Sequence, residues 1–321
     1  MPPKKKREQV AQQDRGNKDG ASGQPNPGHD NKPDVSSKKR KANVDSEQPA
    51  KAARRSARGT SARGTAKPQP SQSQLLKYLL SRDAEEQCRP SDEAEDIQSR
   101  GQIKTYSSSA LNPFEELLCA LILSRPISHR LGLRSIRTLL NEPYSFNSAK
   151  AVQDAGDEKR TQALYDARTQ HKDKTAAQLG QLAETVLEKF TADGDDQGTQ
   201  LGRALKEHKD DVDGAVDELK KEVKGLGATG IEIFLRRVQW RYPYIDNKTQ
   251  DALKQLALPS DADKLREAIE QDWSKLETKH LAGDDEAARK QRAFVIILER
   301  ATAAQLEGKI ETMLGAAASS A

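Results

Sequence analysis

The sequence predicts an all-helical body that follows a disordered, basic N-terminal tail. From Gln74 onward, apolar residues recur at spacings of three and four, and alternating strand-like runs are almost absent. Residues 1–70 contain no Leu, Ile, Phe, Tyr or Trp, so they cannot bury enough apolar surface to offset the entropy lost on ordering. We therefore divide the chain into a tail, residues 1–70, and a helical body, residues 71–321.

The tail and the body carry opposite charge. The tail holds 17 Lys and Arg against 7 Asp and Glu, and the rest holds 36 against 42, which together give the formal net charge of +4. The clusters KKKR (Lys4–Arg7) and KKRK (Lys38–Lys41) are typical of nuclear import signals and of nucleic-acid arms. A solubilising tail is the alternative. The clusters predict a nuclear protein with an import receptor among its partners. If the tail also binds DNA, the release of counterions adds affinity but no recognition of the base sequence.

Membrane and metal chemistry are not expected. No apolar run reaches the roughly 18 to 20 residues of a membrane span. Cys88 and Cys119 are too few for a disulfide framework, a structural zinc site or an iron-sulfur cluster. His129 and His171 lack metal-ligand spacing and are predicted to be ordinary surface residues. We expect a soluble intracellular protein with no metal.

The first strong helix boundary lies at Asn112. A first helix is predicted at residues 75–87, followed by a polar connection. Asn112 then suits the N-cap position, Pro113 the first helical position and Glu115 the capping box. The next helix has one apolar stripe, formed by Phe114, Leu117, Leu118, Leu121 and Ile122.

Apolar spacing predicts the remaining helices and their burial. Residues 191–211, rich in Asp, Gly and Lys, are predicted to form an exposed excursion. The apolar FVIIL at 294–298 requires burial, and the first helix is its expected partner. The further helices are predicted at Ser128–Leu140, Ala149–Ala155, Lys159–Thr169, Lys174–Phe190, Val212–Val223, Gly230–Arg241, Asn247–Leu256, from Ser260 onward, and at Glu286–Arg300 and Thr302–Leu314.

The stretch VKGLGATGIEIFLRRVQ (Val223–Gln239) places glycines between two predicted helices. Gly225 and Gly227 allow a tight turn, and Leu226 can pack between the helices as a wedge. Unpaired N–H groups at the turn and at the start of the second helix would form an anion site that suits a DNA phosphate. The alternative is a glycine helix stop followed by an ordinary helical hairpin. Between residues 220 and 241, six basic side chains face only two acidic ones, and the basic ones are Lys220, Lys221, Lys224, Arg236, Arg237 and Arg241.

Three segments together carry a family resemblance. They are NPFEELLCALILSRPIS, VKGLGATGIEIFL and YPYIDNKTQDALKQLALP, in this order. In order and spacing the chain resembles the helix-hairpin-helix DNA glycosylase superfamily (HhH-GPD) of the endonuclease III type, over about residues 111–260. The resemblance implies a two-lobed helical DNA glycosylase fold with a helix-hairpin-helix motif at 212–241. It also implies a monomer that acts in base excision repair on double-stranded DNA with a damaged or mismatched base.

The resemblance assigns the catalytic carboxylate to Asp246. Asp is also a favoured N-cap residue, and Asp246 immediately precedes a predicted helix. Thr229 stands where bifunctional members of the family carry a lysine, so no Schiff base and no lyase step of the usual kind are expected. The iron-sulfur cysteines of the family are absent, and Pro126 stands where a glutamine is common. A monovalent cation held by hairpin carbonyls is the one ion that the resemblance implies.

The remaining site residues also follow from the resemblance. Trp240 could line the pocket, and core packing is its alternative role. Lys248 could contact a phosphate, and an ordinary surface position is its alternative. Candidates for the base pocket or for a wedge are Ser124, Tyr242 and Tyr244. DNA contacts are expected at Lys224, Gly225, Leu226, Gly227, Ala228, Thr229, Gly230 and Lys248.

Three functions remain open from the sequence. The first is a monofunctional DNA N-glycosylase, in which Asp246 activates water and stabilises an oxocarbenium-like state. The second is a catalytically inactive helix-hairpin-helix DNA-binding module in repair or chromatin. The third is a chromatin-interaction protein that binds mainly through its tail.

Overall fold

The structure is a computed structural model, and it describes residues 69–209 and 211–320. The predictions for the basic tail fall on residues 1–70, almost all of which lie outside this range. The described part of the chain is helical and contains no strand, which confirms the all-α prediction. No helix in this part is long and apolar enough to cross a membrane.

Fifteen α-helices make up the described part of the chain. A π-helical turn, Val186–Phe190, extends α8, and a 3-10 turn, Trp273–Lys275, follows α13. The helices are α1 (Gln72–Leu80), α2 (Arg82–Cys88), α3 (Ser91–Arg100), α4 (Pro113–Leu123), α5 (His129–Leu140), α6 (Ala149–Asp154), α7 (Gly156–Asp166), α8 (Lys172–Thr185), α9 (Gly202–Glu207), α10 (Val212–Glu222), α11 (Ala228–Val238), α12 (Asn247–Gln255), α13 (Ala262–Asp272), α14 (Glu286–Leu306) and α15 (Ile310–Ser319).

The predicted helix at residues 75–87 is two helices in the structure. Ser81 divides them, because its side chain accepts a hydrogen bond from Ala84 N at 3.2 Å and so caps α2. The polar connection that was expected after them contains α3. This helix has no apolar stripe; the buried Arg137 of α5 pairs instead with three of its carboxylates, those of Asp92, Glu93 and Asp96.

Other boundaries also differ from the predictions. A short helix, α9, lies in the segment expected to be an excursion, and α11 begins at Ala228, two residues early. α14 continues to Leu306, past the predicted end at Arg300, and Gly308, with a positive φ of 66°, follows its end. The last helix is therefore Ile310–Ser319, shifted toward the C-terminus from its predicted range.

Two hydrophobic clusters stabilise the described helices. The first surrounds α4, whose capping box is present as predicted and whose apolar stripe is fully buried. It also includes apolar side chains of α5, α8, α10 and α11. The second cluster joins α1 and the C-terminal helices, and it buries Phe294, Ile297 and Leu298 against Leu75, Leu76 and Leu79. The predicted burial of FVIIL against the first helix is confirmed.

Candidate functional site

Two glycines, Gly225 in the turn between α10 and α11 and Gly230 in the first turn of α11, lie where a side chain would meet close neighbours. Gly225 has a φ of +90°, which favours glycine, and a Cβ at this position would collide with the side chain of Gln178. A Cβ at Gly230 would lie 2.7 Å from Leu226 Cδ1. The bare backbone therefore allows the turn to pack closely against the rest of the first cluster.

Leu226 packs into the interior of the protein. Its side chain is only 3% exposed, and its N–H donates to Val223 O at 3.2 Å. The wedge role between the helices agrees with this position, but a direct DNA contact by the Leu226 side chain does not, because the first cluster already covers it. Gly230 is also buried. The exposed residues of the predicted DNA contact are Lys224, Gly225, Gly227, Ala228, Thr229 and Lys248.

The N-terminus of α11 has no cap. No side chain bonds to it at Gly227, and Ile231 N is the first to donate within the helix, to Gly227 O at 3.0 Å. Among the described residues, the N–H groups of Ala228, Thr229 and Gly230 consequently have no acceptor. Such groups carry partial positive charge and can bind an anion.

The local excess of basic residues is only partly at the surface. Arg236 and Arg237 are 5% and 6% exposed, and both form ion pairs inside the protein. Arg241 pairs with Asp213 at the surface. The local net charge of +4 counted from the sequence is therefore only partly displayed toward a ligand. Lys220 and Lys221 are exposed but pair at the surface with Asp217 and Glu222, and Lys224 is exposed as well.

Asp246 caps α12 as the sequence predicted. Its Oδ1 accepts from Thr249 N at 3.1 Å, and its Oδ2 accepts from Thr249 Oγ1 at 2.7 Å. Thr249 Oγ1 also lies 2.9 Å from Thr302 Oγ1 of α14. The cap thus fixes the carboxylate orientation and ties α12 to α14.

Arg236 joins two buried carboxylates. Its Nη1 donates to Asp246 Oδ2 at 2.9 Å and its Nε to Glu299 Oε1 at 2.7 Å. Burial alone would raise the pKa of Asp246, but the charge of Arg236 and the hydrogen bonds to Arg236 and Thr249 outweigh it, so the pKa lies below its ordinary value. The pKa of Glu299 is also lowered, because Arg236 and Arg237 outweigh its burial. Both carboxylates are therefore ionised at neutral pH.

A second buried arginine lies beside this group. Arg237 Nε and Nη2 each donate to Glu116 of α4 at 2.8 Å, and its guanidinium stacks 4.3 Å from the centre of the Tyr106 ring. This pairing connects α11 with α4 and holds Tyr106 in place.

A cavity of about 270 Å³ opens beside Asp246, and four of the predicted site residues line it. Asp246 lies in its lining with Thr229 of the first turn of α11, Ser124 at the end of α4, and Lys248 of α12. These residues come from three parts of the sequence, and the fold brings them to one place. The sequence reasoning did not identify other lining residues, among them Tyr106, His129, Glu232, Arg236, Glu299 and Thr302.

His129 differs from its prediction as a plain surface residue. It lies in the cavity lining with Nδ1 3.3 Å from Glu307 Oε1. Tyr106 was missed because it lies in a polar stretch that offers no periodicity, and Glu299 because it follows an apolar run that indicates only burial. No signal in the sequence pairs either of them with Asp246.

Two predicted pocket residues lie outside the cavity lining. The ring of Tyr242 packs edge-on against Phe294, with centroids 5.5 Å apart. Tyr244 packs against the first cluster, and its backbone is held by the side chain of Gln239 at 2.9 and 3.0 Å. Trp240 packs edge-on against Phe234 at 5.1 Å, in agreement with its alternative packing role.

Within residues 69–209 and 211–320, no group of three or more His, Cys, Asp or Glu is arranged to hold a metal ion. Comparison of the chain with protein-family models, with curated proteins and with solved structures finds no match in any of the three.

Proposed function

We propose that this protein is a monofunctional DNA N-glycosylase of base excision repair that uses Asp246 on a base flipped out of the duplex. One observation carries the proposal. A single cavity is lined by the ionised, oriented carboxylate of Asp246 and by Thr229, which lies in the first turn of α11, where the N–H groups are unpaired. The helix terminus suits a DNA phosphate, and the cavity suits an extruded base. The resemblance to the helix-hairpin-helix glycosylases, including their two-lobed fold, is part of this proposal.

The proposed reaction is hydrolysis of the bond between sugar C1′ and the base nitrogen. As that bond breaks, positive charge develops on the sugar, and the Asp246 carboxylate stabilises it. A water molecule adds to C1′, its proton passes to Asp246, and the base leaves with the bonding electrons. A carboxylate has roughly four acceptor positions, and Thr249 and Arg236 occupy three of those of Asp246, so one remains for the water.

At the hairpin position where the resemblance places the lyase lysine, this chain has Thr229, and the amine in the cavity lining is that of Lys248 of α12. Thr229 occupies the position in the cavity where an amine would be needed, and a hydroxyl cannot form a Schiff base with C1′. The proposed product is therefore an abasic site in an intact strand. Strand breaks are expected only after alkali treatment.

A catalytically inactive DNA-binding module is the second candidate. The ion pair between Arg236 and Asp246 favours it, because the guanidinium at 2.9 Å already neutralises the charge that the reaction would use. In this case the hairpin would bind structured or damaged DNA without cleaving it.

The deciding experiment is cleavage of duplexes that each carry one lesion: uracil, a 3-methyladenine-type base, an oxidised pyrimidine or a mismatched adenine. Wild type is compared with Asp246→Asn and with the matched control Asp251→Asn, whose aspartate lies exposed on the same helix. Alkali-dependent breaks that disappear only in Asp246→Asn support the glycosylase. Binding without cleavage across the panel supports the inactive module.

The proposal extends to the tail, the location and the hairpin ion. We infer nuclear import through the basic clusters, a monomeric protein, and a monovalent cation at the hairpin carbonyls. Deletion of residues 1–70 tests the tail, since the hairpin proposal expects structure-sensitive DNA binding to survive and the chromatin proposal expects almost none. Exchange of potassium for a bulky organic cation during DNA binding tests the ion.

A further inference from the structure

Tyr106 places a hydroxyl with unused hydrogen-bonding capacity at the cavity. The residue is 3% exposed and lies in the loop before α4. Its Oη lies close enough to the carboxylate of Glu299 to help lower the pKa of that group, but no hydrogen bond of normal distance and angle joins it to a described residue. Because a buried polar group without a partner is destabilising, such groups in folded proteins require an explanation, and an absent ligand is one.

The hydroxyl is set up as a donor. Burial and the neighbouring charge of Glu299 raise the pKa of Tyr106, so the proton stays on the oxygen. Stacking of Arg237 on the ring fixes its orientation. The group is therefore rigid and protonated, and it can donate to a bound molecule.

Glu299 supplies an acceptor beside this donor. Its Oε1 accepts from Arg236 Nε at 2.7 Å, and the carboxylate keeps further acceptor capacity in the cavity. The pair Tyr106 and Glu299 thus offers one donor and one acceptor side by side. A carbonyl next to a ring N–H, the lactam edge of a nucleobase, has the complementary arrangement.

We propose that Tyr106 and Glu299 select a base with a lactam edge, so that the preferred lesions are deaminated bases such as uracil and hypoxanthine. This inference rests on the proposed function, because it takes the cavity as the site of the extruded base. Asp246 holds the sugar and so fixes the orientation of the base. An amino base would then set an N–H against the Tyr106 donor and an unprotonated nitrogen against the Glu299 carboxylate, and both contacts are unfavourable.

The test is binding to duplexes that contain a 2′-fluorinated nucleotide, which resists glycosidic hydrolysis. Hypoxanthine is compared with purine, which has the same ring system without the carbonyl and the N–H. Wild type is expected to bind the hypoxanthine duplex about tenfold more tightly, since two hydrogen bonds are lost with purine. Tyr106→Phe is expected to weaken hypoxanthine binding about fivefold and to leave purine binding unchanged. Tyr165→Phe, at a tyrosine that is 53% exposed, is the control.

The outcomes separate this inference from the proposed function. Equal wild-type affinity for the two duplexes overturns the inference without any variant, and so does an equal loss for both duplexes in Tyr106→Phe. Equal cleavage of unfluorinated lesions with and without a lactam edge overturns the inference and still supports the proposed glycosylase. Discrimination without cleavage supports the inference and overturns catalysis. The Tm of Tyr106→Phe checks that the variant is folded.

Discussion

Replacing Arg236 by Met tests the buried charge group most directly. The substitution keeps the length and apolar stem of the side chain but removes the guanidinium that lies 2.9 Å from Asp246 and 2.7 Å from Glu299. These carboxylates are 3% and 8% exposed, so water cannot replace the lost charge. Removing one partner from a buried ion pair costs about 3 to 5 kcal/mol, and the expected loss in the free energy of unfolding at neutral pH lies in that range.

The same variant has a defined pH dependence. In wild type the pKa values of Asp246 and Glu299 are lowered, so their contribution to stability is present above the unfolded pKa of about 4 and is lost as pH falls through the folded values. In Arg236→Met, burial without the countercharge raises the pKa of Asp246, whereas Arg237 still acts on Glu299. The variant then loses stability as pH rises through the raised pKa of Asp246. The difference in the free energy of unfolding between wild type and variant should therefore become smaller as pH is lowered from about 7.5 to about 4.5.

Urea denaturation followed by far-UV circular dichroism measures both effects. The matched control is Arg241→Met, which removes an arginine from the exposed pair with Asp213, where the side chains are 48% and 79% exposed. That pair is expected to contribute no more than about 1 kcal/mol. If Arg236→Met costs no more than the control, or if its cost is the same at both pH values, the reasoning about the buried group is wrong.

Five further substitutions, with Asp246→Asn as a reference, probe the hairpin and the cap of α12. Leu226→Ala is expected to cost about 2 to 5 kcal/mol in unfolding free energy, because it leaves a cavity in the first cluster. Gly225→Ala should destabilise the protein by more than about 1 kcal/mol. Gly227→Ala should be close to neutral, because nothing lies within 4 Å of the added Cβ. Equal changes in Tm for the two variants would contradict the steric argument. Asp246→Ala should be about 1 kcal/mol less stable than Asp246→Asn, since only Asn keeps a capping oxygen. Thr229→Lys is expected to form an adduct with abasic DNA that borohydride traps, and its absence would count against the assignment of this position.

Local signals in the sequence predicted the elements that depend on neighbouring residues. Asn112 and Glu115 determine the start of α4 through hydrogen bonds within three residues, with Pro113 at the first helical position, and Asp246 caps α12 in the same way. Such signals are readable because both partners lie in one short segment. The positions of Asp246, Thr229, Ser124 and Lys248 around one cavity could be anticipated only through the family resemblance.

Long-range pairing accounts for what the sequence did not predict. Arg237 binds Glu116, which is 121 residues away in the sequence, and Arg236 binds Glu299 at a separation of 63. The sequence near the hairpin therefore predicted a basic surface with six cations, but two of them, Arg236 and Arg237, are buried in ion pairs. α3 was missed for a similar reason, since its stability comes from Arg137 of another helix rather than from an apolar stripe of its own.

Because residues of α14 line the cavity, the order in which the helices fold determines when the cavity forms. Glu299 and Thr302 complete the arrangement around Asp246, while Tyr106, which lies close to Glu299 in the cavity lining, comes nearly two hundred residues earlier in the chain. Closing so long a loop costs entropy before its contacts form, so the cavity is expected to assemble after the local helices. During synthesis the hairpin emerges from the ribosome before α14 does. The nascent chain therefore contains the hairpin and the Asp246 cap, whose hydrogen bonds come from Thr249 and Arg236, before α14 is available. A fragment that ends before α14 should lack the part of the cavity wall that Glu299 and Thr302 form.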